Sequence, residues 1–523
     1  MKTVYTRILT LVLVLLVALS LLSCNAQTTQ SLKLVDVTLT EEEYAFVCKK
    51  GNVSLVESFN EFLTVIEENG ELKKIENKYF RGEGEKIGYE VVTSDVENTD
   101  NRFIVATNCP FEPFEYMYDD GKIYGFDIEI AAAYAEYHGL ELVIKNINFN
   151  EIFVQVEAGY ADIGMAGITV DAERAEAYSF TKEYYGTSQR IIVRADNEDF
   201  NGCTSGSDAE AVLRNLKGES IGYQSATTAM LYLNGDDTWG FEGFSNIESK
   251  AYSNANVALS DLLNGNLYAV LLDEAPAIAM VNAVNEAQNL NFDAKIKNFF
   301  ETLSNEYYLS ILAIGIWNTL QIAFVGLAIG ILIGTLIAIV RVAPKYKLVY
   351  RILDKLCTVY TAIFRGTPIV AQLLIMYYVV VPACGIRADA LSIGMLAFGL
   401  NSGAYVSEIM RGGIASVDKG QTEAGRALGL SYSATMVKIV IPQAIKNILP
   451  TLGNELISLI KETSVLSFIA VYDLYKALLD IGMVKYDSMI PYLMMGLIYI
   501  IIVLGISAVV KIIERRFAKS DRN

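Results

Sequence analysis

Three regimes of hydrophobic patterning divide the chain, and each predicts its own kind of element. Behind Lys2 and Arg7 an apolar run covers residues 8–22 and ends at Leu21-Leu22-Ser23-Cys24, the layout of an export signal over residues 1–24. From residue 42 to about residue 289 apolar positions recur at strand and helix periods. Phe103 to Thr107 and Leu142 to Ile147 read as strands, Ile128 to His138 and Ile152 to Ala158 as helices. That alternation predicts an α/β fold of two lobes, with a crevice at the carboxy ends of the strands. Further on, runs long enough to cross a bilayer are predicted at about 315–340, 356–381, 391–410, 452–472 and 490–510, an all-α membrane domain of about five helices.

Ahead of the main α/β body, Glu42 to Lys50 alternates as one strand. Leu55, Phe59, Phe62, Leu63 and Ile66 then follow at helical spacing until Gly70 closes the turn, and Leu72 to Phe80 forms a second helix. Arg81 to Asp100 is polar and glycine-containing, as a linker would be. A second linker is expected near Asn298 to Tyr307.

Composition agrees with a soluble part joined to a membrane part: 52% of the 523 residues are hydrophobic and 20% charged, with mean hydropathy +0.32. The net charge of −18 argues against nucleic acid as a partner. Six cysteines, at 24, 48, 109, 203, 357 and 384, form no CxxC pair, which argues against a disulfide framework or a metal site. No GxxxxGK[ST] occurs, so ATP hydrolysis by a P-loop is not expected; neither catalytic residues nor a cofactor are expected. Basic clusters at Arg341, Lys345, Lys347, Arg351 and at Lys511, Arg515, Arg516, Lys519 follow the first and last spans and mark the cytoplasmic side. Five passes then leave the α/β body outside. Glu408, Lys461 and Glu462 are costly in lipid, and read either as lining a translocation path or as snorkelling to the interface.

Gln421-Thr422-Glu423-Ala424-Gly425-Arg426-Ala427-Leu428-Gly429, nine residues, then Ile439-Val440-Ile441-Pro442 reads as a helical hairpin, with Gly429 left-handed, Ser431 capping a second helix and that helix ending before Pro442. It resembles the EAA loop of ABC importer permeases, here over residues 412–443, with Gly425 in place of the second Ala. FRGTP, NSGAYVSEIMRGGI and NELISLIKETSVLSF likewise resemble polar amino-acid importer permeases over residues 308–517. Residues 98–297 resemble periplasmic-type amino-acid-binding proteins in ATNCPFEPFEY, GFDIEIA, ADIGMAGITVDAERA, IGYQSATTA and LYAVLLDEAPA. Residues 39–82 are similar to the carboxy-terminal end of that family, placed before the body. A circular permutation completing the first lobe, or a relic of a truncated second domain, would account for it. Leu-x-Ser-Cys resembles a lipobox that would lipidate Cys24; an uncleaved anchor is the alternative.

The resemblance implies a fused receptor and permease of a bacterial amino-acid importer in the cytoplasmic membrane, a homodimer energised by a separate ATPase docking on Glu423, Ala424, Gly425 and Gly429. It implies that Arg174 holds the ligand carboxylate with Thr169, the backbone of Gly167 and, from the second lobe, Thr228, while Asp273 pairs with the ammonium. Phe111 and Phe149 match wall positions; Asn108 and Gln224 match positions that read the ligand side chain. Taken singly, Arg174 could be a helix-surface ion pair with Asp171, Asp273 a helix cap, and either Phe plain core. No charge is evident at the side-chain end, so a neutral polar amino acid, glutamine above all, is expected; acidic, basic and cystine ligands remain alternatives. His138 is expected to be solvated and without a role. A ligand-gated channel or a membrane sensor would use the same binding fold, but no TVGYG-like filter occurs, and a sensor is expected to need an output domain after Phe517, where only Ala518 to Asn523 remains.

Overall fold

The computed structural model describes residues 31–92, 99, 101–290, 292–343, 346–385, 388–469, 471–485 and 489–519; the expected signal and Cys24 lie outside them. The chain opens with β1 (Leu32–Leu34), β2 (Glu42–Tyr44), β3 (Val47–Cys48), α1 (Val53–Glu68) and α2 (Glu71–Phe80). Next come β4 (Arg102–Thr107), β5 (Tyr116–Met117), β6 (Ile123–Tyr124), α3 (Phe126–His138), β7 (Glu141–Asn146), α4 (Phe149–Ala158), β8 (Ile163–Gly164), α5 (Ala172–Ala177), β9 (Ser179–Phe180) and β10 (Tyr185–Thr187). The rest of the α/β domain is β11 (Gln189–Arg194), α6 (Gly206–Asn215), β12 (Ser220–Gln224), α7 (Thr228–Asn234), β13 (Glu248–Tyr252), α8 (Ala255–Leu263), β14 (Ala269–Asp273) and α9 (Glu274–Asn289).

Two five-stranded sheets form two lobes: β7-β4-β8-β3-β9 in lobe 1 and β1-β11-β14-β12-β13 in lobe 2. Their connection is a two-stranded ribbon in which β2 runs antiparallel to β10. The path β1-β2-β3 thus crosses from lobe 2 to lobe 1, and β9-β10-β11 crosses back. The single strand expected over Glu42 to Lys50 is therefore split, because it changes partner at Ala45-Phe46, from β10 in the ribbon to β8 and β9 in lobe 1. β1, which sequence periodicity left unassigned, pairs with β11. At its start the Asn285 side chain of α9 holds both the amide and the carbonyl of Leu32, at 2.8 and 2.9 Å. α1 follows its pattern closely: Asn52 caps it, Phe59, Phe62, Leu63 and Ile66 are buried, and Gly70 follows at φ 77°.

The helical half comprises α10 (Phe292–Ser304), α11 (Glu306–Val342), α12 (Leu348–Gly366), α13 (Ile369–Ile375, prolonged by a π-turn at Met376–Val380), α14 (Ala390–Ala415), α15 (Lys419–Ala427), α16 (Tyr432–Thr435), α17 (Ile441–Glu462), α18 (Leu474–Lys485) and α19 (Met489–Lys519). Where a linker was expected near Asn298 to Tyr307, the chain is helical on both sides of Asn305, whose side chain caps α11 by accepting from Tyr307 and Tyr308. Of the five expected spans, three are helices long and apolar enough to cross a bilayer among the described residues: α11, α14 and residues 491–514 of α19. A fourth is a pair, α12 with α13, bent by 107°. Pro368 removes a backbone donor and drives Thr367 into extended geometry (φ −120°, ψ 147°), which breaks the helix there. α17, with Lys446, Glu455, Lys461 and Glu462, does not qualify. α11 and α14 pack closely through small residues: a Cβ on Gly330 would lie 2.8 Å from Ser402 Cβ, and one on Gly334 2.7 Å from a Val406 methyl.

Candidate functional site

Between the lobes a closed cavity is lined by Asn108, Phe111, Glu115, Phe149, Ala166, Gly167, Thr169, Arg174, Gln224, Thr227, Thr228 and Asp273, so every residue expected at a ligand site converges there. Arg174 projects from the first turn of α5. Its ion pair with Asp171 exists, at 2.9 Å, and does not exhaust the guanidinium. Nη1 donates to the Thr169 carbonyl at 2.7 Å and Nη2 reaches across the cleft to the carbonyl of Ala226, while the Phe149 and Phe153 rings lie 5.9 and 5.1 Å from its centre. With five N–H donors in a planar fork, it retains donors for a carboxylate.

Asp273 occupies the cap position of α9, yet its carboxylate makes no capping bond. Tyr44 Oη and Gln189 Nε2 donate to it instead, from the ribbon and from β11. Burial, reinforced by the charge of Glu42, pushes the carboxyl up to about 7, against the pull of Tyr44, Gln189 and Arg174. A ligand ammonium placed here would favour the ionised form.

Some expected donors are already engaged. The Thr169 hydroxyl donates to Glu42 at 2.8 Å and the Gly167 amide to Asp127 at 3.1 Å. Gly167 is left-handed (φ 52°), and a Cβ there would lie 2.5 Å from Phe111 Cε1, so the aromatic wall rests directly on backbone. Gln224 donates to Asn108 at 3.1 Å, and Asn108 donates to the Ile147 carbonyl at 2.7 Å. These two amides therefore latch lobe to lobe. Phe111, Phe149 and Thr228 are buried at the cavity wall. His138 lies at the end of α3, exposed, within 3.2 Å of Ser58.

Sequence reasoning missed the acids. Glu115 lines the cavity fully buried, and neither carboxylate oxygen has a hydrogen-bond partner among the described residues. Burial, then the charge of Asp127, holds its carboxyl well above the ordinary range. Glu42, 4% exposed, bonds Thr40 and Thr169 beside Arg174 and Asp273. An acid inside the aromatic run Phe111 to Tyr116 was the available signal for Glu115; Glu42, inside Glu41-Glu42-Glu43, looked like surface.

The second motif forms an exposed hairpin. Asp418 caps α15, Gly429 is left-handed (φ 83°), and Ser431 caps α16 by accepting from Ala434 at 3.2 Å. Glu423, Ala424 and Gly429 are exposed, and Leu428 is 81% exposed. Gly425 is buried because a Cβ there would lie 2.7 Å from Thr435 Cγ2 and 3.0 Å from Ile439 Cδ1, which explains the missing methyl at this place in the motif. The second helix does not stop before Pro442. A π-turn at Met436–Val440 widens it, and α17 starts with Pro442 in its first turn, where the missing N–H is tolerated.

Glu408 is paired with Arg341 and Arg411, Arg411 at 2.6 Å, and Glu455 accepts from Ser402 at 3.1 Å.

Residues 326–519 match the family described as Binding-protein-dependent transport system inner membrane component. Among curated proteins, one provisionally named a glutamine transport system permease protein, GlnP, of Rickettsia prowazekii (strain Madrid E) is 40% identical over 213 residues, covering 40% of this chain and 95% of that protein. The arginine transport system permease protein ArtQ of Bacillus subtilis (strain 168) is 36% identical over 207 residues, covering 40% of this chain and 92% of ArtQ. Among solved structures, an amino acid ABC transporter with histidines is 35% identical with TM-score 0.38, covering 44% of this chain and 99% of that one. With such relatives matched along nearly their whole length, the chain belongs to the binding-protein-dependent transport system inner membrane components, as an amino-acid ABC transporter permease with a two-lobed α/β domain on the same polypeptide.

Proposed function

We propose that the α/β domain captures a polar amino acid outside the cytoplasmic membrane and delivers it to the permease half, and that the favoured ligand has a cationic side chain. The observation that carries this is Glu115. Arg174 and Asp273 suit the carboxylate and ammonium common to all amino acids, and Glu115 adds a third, unpartnered carboxyl at the same cavity, whose Phe111 and Phe149 rings suit a guanidinium or ammonium. Asp273 and Glu115 against Arg174 leave the cavity lining with an excess of acid, and a cation relieves the cost of burying it. Glutamine is the second reading: a protonated Glu115 can donate to a carboxamide oxygen. The names of the relatives divide among glutamine, arginine and L-cystine, and favour neither. Calorimetry of the full chain in detergent separates them. Arginine or lysine binding at least tenfold tighter than glutamine supports the first; glutamine tightest supports the second; no amino acid binding overturns both.

In this reading the permease half forms a homodimer, and a separate cytoplasmic ATPase grips the exposed hairpin at Glu423, Ala424, Gly425 and Gly429. The basic cluster after the first span supports placing the α/β domain outside; with the bent pair α12–α13 as one crossing and α14 as the next, the hairpin is inside, and the cluster after the last span joins it there if α17 also crosses. Residues 39–82, with β1 before them, are then the displaced carboxy-terminal end of an ordinary two-lobed binding domain. Support comes from β1 and β3 completing the sheets of both lobes, and from Asn285 holding Leu32 where an unpermuted chain would pass from α9 to β1. A relic of a second domain would have no reason to complete either sheet.

A further inference from the structure

The two lobes meet the permease half in different ways. Lobe 1 is bonded to it at two separate places. At the first, Asp119 accepts from Tyr308 Oη at 2.6 Å and its carbonyl accepts from Asn305 Nδ2 at 3.1 Å. The Tyr307 ring packs with Cys109, Met117 and Ile123 of lobe 1 and Val484 of α18, and it sits so close to Gly121 that a Cβ there would lie 2.7 Å from Tyr307 Cγ. At the second, the Tyr377 ring stacks on Tyr160 (centroids 5.5 Å apart) and its hydroxyl is 3.2 Å from Gln155 Nε2, in buried surroundings. The buried pair Lys476–Asp480 of α18 (2.8 Å) lies near enough to Glu151 of α4 to influence its charge.

Lobe 2 presents a different boundary. Asn254, Asn256 and Val257, at the start of α8, face Leu479, Gly482, Pro491 and Tyr492 across an open crevice. Both polar atoms of the Asn256 side chain are buried there without a hydrogen-bond partner among the described residues. An unmatched side-chain amide marks a contact that gains little from staying closed. Lobe 2 is otherwise leashed through α10, about 20 Å long at 1.5 Å per residue. Extended backbone lies next to both ends of that leash, at Leu290 (φ −69°, ψ 128°) and Asn305 (φ −71°, ψ 127°), where it can bend.

We propose that lobe 1 stays seated on the permease half throughout the transport cycle, and that lobe 2 alone swings to open the cleft and release the ligand. The seat is made by Asp119, Gly121, Gln155 and Tyr160 against Tyr307, Tyr308 and Tyr377. The bending points for the swing are the β2–β10 ribbon and the two ends of α10. The domain is therefore a captive receptor, and release does not require it to undock. This rests on the proposed import function but reaches beyond it.

Two covalent locks test it, in the full chain reconstituted with its ATPase. For lobe 1, Gly121→Cys with Tyr307→Cys places the two Cβ atoms within about 4.2 Å, inside disulfide range. For lobe 2, Val257→Cys with Tyr492→Cys is joined by a short bis-maleimide. Uptake of the best-binding amino acid is measured before and after locking. The expected result is uptake within twofold of the unlocked protein for the lobe 1 lock and at least a tenfold loss for the lobe 2 lock. Loss of uptake under the lobe 1 lock, restored by reductant, overturns the proposal, as does uptake unchanged under a complete lobe 2 lock. Absence of amino-acid uptake and binding before locking would instead refute the import reading.

Discussion

The ligand cleft and the Gln421 to Leu430 hairpin are the two places where motif residues gather, and the fold handles them in opposite ways. In the cleft, most polar groups are buried and paired within the chain, Glu115 excepted: Arg174 is bound by Asp171, Thr169 and Ala226, and Asp273 by Tyr44 and Gln189. In the hairpin, Glu423, Ala424 and Leu428 face outward and only Gly425 is packed away. A cavity preorganised in this manner suits recognition of a small molecule without help, whereas an exposed hairpin of fixed shape suits contact with a second surface. The two should therefore fail independently.

The largest effect is expected in the cleft. Arg174→Ala removes charge-assisted hydrogen bonds to a buried carboxylate and leaves Asp171 uncompensated, so amino-acid binding should weaken about a hundredfold or more by calorimetry. Copurification of the ATPase should not change. Glu423→Arg is the reciprocal experiment: ATPase recovery should fall about tenfold, with ligand affinity within twofold. If each substitution disturbed both readouts, the independence would be lost and the two regions would have to be treated as one rigid unit.

A smaller effect distinguishes the shape of the hairpin from its charge. Gly425→Ala inserts a methyl 2.7 Å from Thr435 Cγ2, which the helices can relieve only by moving apart, at a cost of about 1–3 kcal/mol of local packing. ATPase recovery should drop severalfold, and Thr435→Ser, which removes that methyl, should restore it. No rescue would mean that the flexibility of glycine, rather than its size, is what this position requires.

How much of this was legible beforehand depended on whether a residue's role is local. The hairpin was readable because caps, a left-handed glycine and helical spacing are properties of neighbours in sequence; only its end was misplaced, since a π-turn that lets Pro442 into a helix leaves no compositional trace. The residues expected to bind ligand were carried by the resemblance, and they line one cavity. Glu42 and Glu115 escaped because their burial is set by chain segments far away, Arg174, Thr169 and Asp273 for one and the aromatic walls and Asp127 for the other. β1 was invisible for the same reason: a three-residue strand owes its existence to β11, some 160 residues later.

The smallest expected effect is also the one that tests the electrostatics of the cleft most directly. Asp127 and Asp273 are each pushed up to about 7, mainly by burial. Both therefore bind protons more tightly folded than unfolded, so their contribution to stability is intact below the ordinary carboxylate range and is lost as the pH rises through about 7. Ligand binding runs the other way for Asp273, because an ammonium needs the ionised carboxylate. A group titrating near 7 is about three-quarters ionised at pH 7.5 and one-quarter at pH 6.5, so affinity should weaken about threefold over that unit, with proton release on binding. The release appears as a dependence of the binding heat on the ionisation enthalpy of the buffer. Asp273→Asn should remove the part of the release that comes from the ammonium site while Arg174 still holds the carboxylate, and leave any release from Glu115. An affinity flat across this range in the parent protein would mean that Asp273 is already ionised in the free cleft, with Arg174, Tyr44 and Gln189 outweighing burial and the charge of Glu42.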